Sequence, residues 1–167
     1  KNSSSAADSE VKAPDFAYPQ TVTTNAEAAL KKAQAANDPQ ATVRAIMDIA
    51  LAQSAIGNDK LQPVARRIAQ MSRTSSSKIT SSLLDLLLAQ IYNSVYTSSK
   101  YKYDTRSLPL SPRSADYTEW SGEQFRAVID SLCCAALAPA TQLQAEPLAN
   151  YTSIITSDAA SRIYYPT

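Results

Sequence analysis

Only two glycines, Gly57 and Gly122, occur in the 167 residues, and this scarcity restricts the backbone more than any other feature of the chain. Glycine supplies the positive φ of primed hairpin turns and the close backbone approach of phosphate-cradling loops. Neither glycine has a glycine neighbour, so P-loop and dinucleotide fingerprints are absent. An architecture of many tight β-hairpins is disfavoured, whereas segments rich in Ala, Gln, Leu and Ser suit helices. The chain is therefore expected to be all-α, with antiparallel helical hairpins in a TPR-like or bundle arrangement. About five main helices are expected, followed by short helical pieces near the C-terminal end.

The composition narrows function chiefly by exclusion. There is no His, which removes Ser/His/Asp and Cys/His nucleophile systems, His-bearing zinc sites and the commonest general base. A formal net charge of +1 gives no global field to draw in nucleic acid or an anionic membrane. The apolar fraction of 44% is ordinary for a globular chain. At this length a single domain buries roughly 70% of its unfolded surface without staples. The richest apolar run, Leu83 to Leu88, contains Asp85, so no bilayer-spanning stretch is present. An intact secretory signal is also missing, since Lys1 is followed by polar Asn2 to Ser5, as in a processed or shortened chain.

Residues 1–13 are Ser-rich and charged and read as a flexible polar tether, leaving 14–167 as one all-α domain. A first helix is predicted from about Asn25 to Ala36, with Thr24 as N-cap and Ala26, Ala29, Leu30 and Ala33 on one face. Asp38-Pro39 supplies an N-cap followed by Pro at the first helical position, and Val43, Ile46, Met47, Ala50, Leu51 and Ala55 form the stripe of a second helix ending at Gly57. Asn58 or Asp59 is placed to cap a third helix carrying Leu61, Val64, Ala65, Ile68 and Met71 inward. The fourth, about Ile79 to Thr97, is apolar on nearly every side and is expected to sit centrally, touched by neighbours on more than one face. Ser121-Gly122-Glu123-Gln124 has the Ser-x-x-Gln form of a capping box ahead of Phe125, Val128, Ile129, Leu132, Cys133 and Ala136, the stripe of a fifth helix. Pro139 and Pro147 then break the chain into short pieces around Leu143 and Leu148, with a last turn or two over Asp158 to Tyr164.

The remaining chemistry-bearing residues resolve mostly into surface features. Cys133 reads as a small buried residue and Cys134 as a thiol that either meets another helix or faces solvent; adjacent cysteines on a helix are poorly placed for a mutual disulfide. Asp48, Asp85, Glu119, Glu123, Asp130 and Glu146 supply acids, but no motif brings two of them together, and solvated or ion-paired faces are their expected fate. Glu27 and Lys31 form a favourable i,i+4 pair, and Arg66, Arg67 and Arg73 make a modest basic stretch. Asn2-Ser3-Ser4 and Asn150-Tyr151-Thr152 match the glycosylation sequon, which matters only in a eukaryotic secretory route. No catalytic residue, metal site or cofactor is implied.

The most informative stretch is the long connection from Ser98 to Trp120, with Pro109 and Pro112 inside it. It holds four of the twelve aromatic residues and the only Trp. Long irregular connections inside compact domains are often functional, and aromatic groups beside Arg or Lys suit sugar stacking, peptide grooves or single strands equally well. Tyr101, Tyr103, Arg106, Tyr117 and Trp120 are thus the candidate partner-binding residues. The competing reading is that these rings pin the segment onto the helices, with Arg106 and Asp116 as ordinary ion-pairing groups and Trp120 as a hydrophobic staple at the following helix start.

Asp15-Phe16-Ala17-Tyr18-Pro19, Gln90-Ile91-Tyr92, Tyr101-Lys102-Tyr103-Asp104-Thr105-Arg106-Ser107, the run from Asp116 through Trp120-Ser121-Gly122-Glu123-Gln124-Phe125 to Arg126, and the terminal Tyr164-Tyr165-Pro166-Thr167 together resemble the N-terminal helical region of large bacterial alpha-2-macroglobulin-like surface proteins. The resemblance covers most of Asp15 to Thr167. It implies a module that precedes macroglobulin-type β-sandwich domains in a secreted or lipid-anchored envelope protein linked to protease trapping. Neighbouring macroglobulin-like domains, and proteases, are the implied partners; nucleic acid is not. The reactive thioester of family members that have one uses a Cys-Gly-Glu-Gln-type motif, and Ser121 stands where that Cys would be, so this segment cannot form it. A non-catalytic spacer or interaction module is the reading that results, with a glycan-binding SusD-like outer-membrane lipoprotein as the alternative.

Overall fold

The computed structural model describes residues 18–106, 114–151 and 154; the tether expected at 1–13 and the last turn expected over Asp158 to Tyr164 lie outside them. Every regular element among the described residues is helical. Helix α1 spans Pro19–Ala35, α2 Pro39–Ile56, α3 Leu61–Thr74 and α4 Lys78–Ser98. A five-residue helix, α5, covers Lys100–Asp104, and α6 Gly122–Leu137 and α7 Ala140–Ala145 complete the set. The architecture is all-α, as the glycine scarcity predicts.

Helix α1 begins earlier than the Thr24 cap predicts. Pro19 occupies its first position, where the fixed φ of proline suits a helix start and no N–H is missed. Thr24 lies inside the helix, its hydroxyl donating to the Gln20 carbonyl at 3.0 Å. The turn into α2 solves the chain's shortage of glycine. Asn37 takes the left-handed conformation at φ 52°, the Asp38 N–H donates to Ala33 O and the Asn37 N–H to Gln34 O. This is a Schellman closure with Asn in the position usually given to glycine. Asp38 then caps α2, accepting from the Ala41 N–H at 3.0 Å. One residue thus ends one helix and starts the next, which folds α1 back against α2 as the expected hairpin. Across the hairpin, the Gln53 side-chain amide donates to the Thr23 hydroxyl at 3.0 Å.

The expected Glu27–Lys31 pair gives way to a tertiary one. Arg67 of α3 reaches Glu27 at 2.6 Å, so α1 is tied to the second hairpin rather than to itself. Neither Asn58 nor Asp59 caps α3. A 3-10 turn over Asn58–Lys60 leads directly into that helix, Asp59 pairs with Lys60 at 2.9 Å, and the Asn58 amide donates to the Ser98 hydroxyl. At the α3–α4 turn Ser77 caps α4, and the Ser72 hydroxyl donates to Asp85 at 2.6 Å.

Helix α4 is central, as its all-round apolar pattern predicts. Leu84, Leu87, Leu88, Ile91, Val95 and Tyr96 are buried, with α3 packed on one side and α6 on another. A single apolar cluster runs from Ala26 and Leu30 of α1 through α2, α3 and α4 to Phe125 of α6. One smaller expectation changes at the α6 end: Cys133 is half-buried rather than buried, while Cys134 takes the solvent-facing alternative. Leu87→Ala is expected to cost about 2 to 5 kcal/mol in urea unfolding, since it removes buried methyl groups and leaves a cavity, whereas Leu86→Ala, on the open side of α4 at 39% exposure, should cost well under about 1 kcal/mol. Equal costs at the two positions would show that α4 is not oriented as described.

Candidate functional site

The connection from Ser98 to Trp120 is partly helical. Its start is α5, and Tyr117–Glu119 forms a 3-10 turn ahead of α6; Pro109 and Pro112 lie outside the described residues. Six aromatic side chains from α4, α5, this turn and α6 meet here. Phe125 is at their centre and is fully buried. Its ring lies 4.7 Å from that of Tyr103, 5.1 Å from Trp120 and 5.7 Å from Tyr96, with Tyr117 and Tyr92 at 6.4 and 6.5 Å. Most pairs are tilted or edge-to-face, the arrangement that brings the positive ring edge to the negative ring face.

Local sequence explains why Phe125 arrives there. Both halves of the capping box form: the Ser121 hydroxyl accepts from the Gln124 N–H at 3.3 Å, and the Gln124 side-chain oxygen accepts from the Ser121 N–H at 3.0 Å. Trp120 immediately precedes the cap and Phe125 is the fourth helical residue, so their contact is the hydrophobic staple that sets the approach of the chain to α6. The similarity of Ser121 to Gln124 to a thioester motif is thus accounted for by capping.

Four of the five candidate partner-binding residues are spent on anchoring. Tyr103, Tyr117 and Trp120 are 5%, 2% and 5% exposed, so the structure corrects the expectation that their faces are offered to a partner. The polar tips of Tyr117 and Trp120 are occupied. The Tyr117 hydroxyl donates to Asn58 O at 2.7 Å, linking the connection to the start of α3, and the Trp120 indole N–H donates to Ser114 O at 2.7 Å. Arg106 is not an ordinary ion-pairing group. Its guanidinium donates to the Thr118 and Trp120 carbonyls and lies 5.0 Å from the Tyr103 ring centre. Asp116 likewise caps its own turn, accepting from the Thr118 N–H and hydroxyl, and these bonds hold its carboxyl below the usual range. Tyr101 alone is on the outside, 84% exposed, between exposed Lys100 and Lys102.

A second feature escapes residue-type reasoning. The Tyr96 hydroxyl donates to Asp104 at 2.8 Å and accepts from Arg126 at 2.7 Å, while Arg126 also reaches Asp104 at 3.2 Å. With Lys100 at 3.2 Å from the same carboxylate, Asp104 holds α4, α5 and α6 together. The Tyr96 hydrogen bond, followed by Lys100 and Arg126, lowers its pKa. Asp104 lies directly over Gly122, where any Cβ would collide with the carboxylate. The one sequence signal for this latch was the placement of a rare glycine at a helix start, where glycine is not required by φ. No group of three potential metal-ligating side chains occurs among the described residues, and none of their helices is long and apolar enough to cross a membrane.

No protein-family model matches the chain, and no curated protein or solved structure matches it.

Alanine in a helix normally gains up to about 1 kcal/mol over glycine. Gly122→Ala should reverse that sign, because Asp104 must swing away and give up Tyr96 and Arg126. Combining it with Asp104→Ala should produce a cost smaller than the sum of the two single costs; strict additivity in chemical denaturation would show that the two residues do not collide. Burial pushes the Tyr117 hydroxyl up to about 12 and raises Tyr103 and Tyr92 as well. A folded-state pKa above the unfolded value of about 10 means that the folded state holds the proton longer, so stability is intact below about pH 10 and falls between about pH 10 and 12. Tyr117→Phe should flatten that alkaline loss, measured as unfolding free energy against pH. An unchanged slope would show that Tyr117 ionises freely in the folded protein.

Proposed function

We propose that this chain is a non-catalytic helical interaction module, a rigid spacer that presents a small docking point to a neighbouring protein domain. The observation that supports this reading is the contrast within α5. Tyr103 is sunk into the aromatic cluster and Asp104 is held by three partners, while Tyr101, two residues earlier, stands 84% exposed between two lysines. A large ring on a fixed base loses little conformational freedom on contact, which is why Tyr is favoured at the energetic centres of interfaces. The resemblance to the N-terminal helical region of bacterial alpha-2-macroglobulin-like proteins supplies the partner class. The module would sit in the exported envelope part of such a protein, against a macroglobulin-type β-sandwich domain of the same chain, in the service of protease trapping. The glycan-binding alternative draws on Trp120 and Tyr101 together as stacking faces, and of these Trp120 is 5% exposed, which leaves Tyr101 as its one open ring.

The test is site-specific photo-crosslinking in the native, full-length polypeptide, with a photoreactive phenylalanine at position 101 and, as control, at exposed Ala28 of α1. Position 101 is expected to crosslink to a β-sandwich domain, and position 28 is not. Tyr101→Ala should weaken that contact by more than about 1 kcal/mol while leaving unfolding stability within about 0.5 kcal/mol. Identical products from both positions, or none from 101, would overturn the reading.

A further inference from the structure

We draw no further inference here: the strongest candidate, the polar cleft of about 340 Å³ between α5 and the start of α6 lined by Asp104, Arg106, Glu123 and Arg126, rests on a helix N-terminus whose arginines are already engaged by Asp104, the Tyr96 hydroxyl and two backbone carbonyls, and nothing in the structure points to a ligand there.

Discussion

The burial of Phe125 among five other aromatic rings is the interaction on which the second half of the molecule depends. That ring is where α4, α5, the Tyr117 turn and α6 converge, and among the described aromatic residues it alone has ring contacts with α4, α5 and the turn. Aromatic groups bury large areas and their tilted contacts add roughly 0.5 to 1.5 kcal/mol per pair beyond area alone. Such a cluster orders a connection that would otherwise gain little from docking, since ordering each residue of backbone costs about 1 to 2 kcal/mol of conformational entropy. The polar tips then fix direction: Tyr117 to Asn58, Trp120 to Ser114, and Tyr96 to Asp104 and Arg126. The rings give the affinity of the segment for the helices, and these bonds give it one register.

The first half is organised differently. Its helices are held by small and branched apolar groups, Ala26, Leu30, Ala33, Val43, Ile46, Ala50 and Ile68, and by the tight turn at Asn37 and Asp38. Small side chains let α1 and α2 approach closely, and the Arg67–Glu27 pair fastens this hairpin to the next. With side chains 39% and 35% exposed, that pair adds direction more than stability, because half-exposed ion pairs are worth at most about 1 kcal/mol. Two modes of cohesion therefore meet along α4: aliphatic packing toward α2 and α3, aromatic packing toward α5 and α6.

This division bears on the proposed role. A module that only separates two domains needs stiffness, which both halves supply. A docking point also needs a group that the fold does not use. Of the described aromatic side chains around the cluster, Tyr101 is the one left outside, and its position is fixed because Tyr103 and Asp104 on the same short helix are held from within.

Much of the helical framework was legible from local rules. Asp38-Pro39, Ser121 through Gln124 and the stripes on α2, α3 and α4 act through spacing and capping, which depend on residues within a turn of each other. The Trp120 staple belongs to the same class. What could not be read was the start of α1, because Pro19 outcompeted Thr24 as the signal, and the distant partners of Glu27, Arg67, Arg106 and Asp104, such as Arg126 for Asp104, which lie across 12 to 40 positions of chain. The same holds for the candidate site: residue type marked Tyr101, Tyr103, Arg106, Tyr117 and Trp120 together, yet only the packing around Phe125 decides that one ring faces solvent and three do not. By itself the sequence determined an all-α chain with most helix starts and inward faces in place, since backbone propensity and periodicity are local. Tertiary structure alone decided which aromatic groups became core and which stayed free, since burial is a property of the neighbours that long-range folding brings.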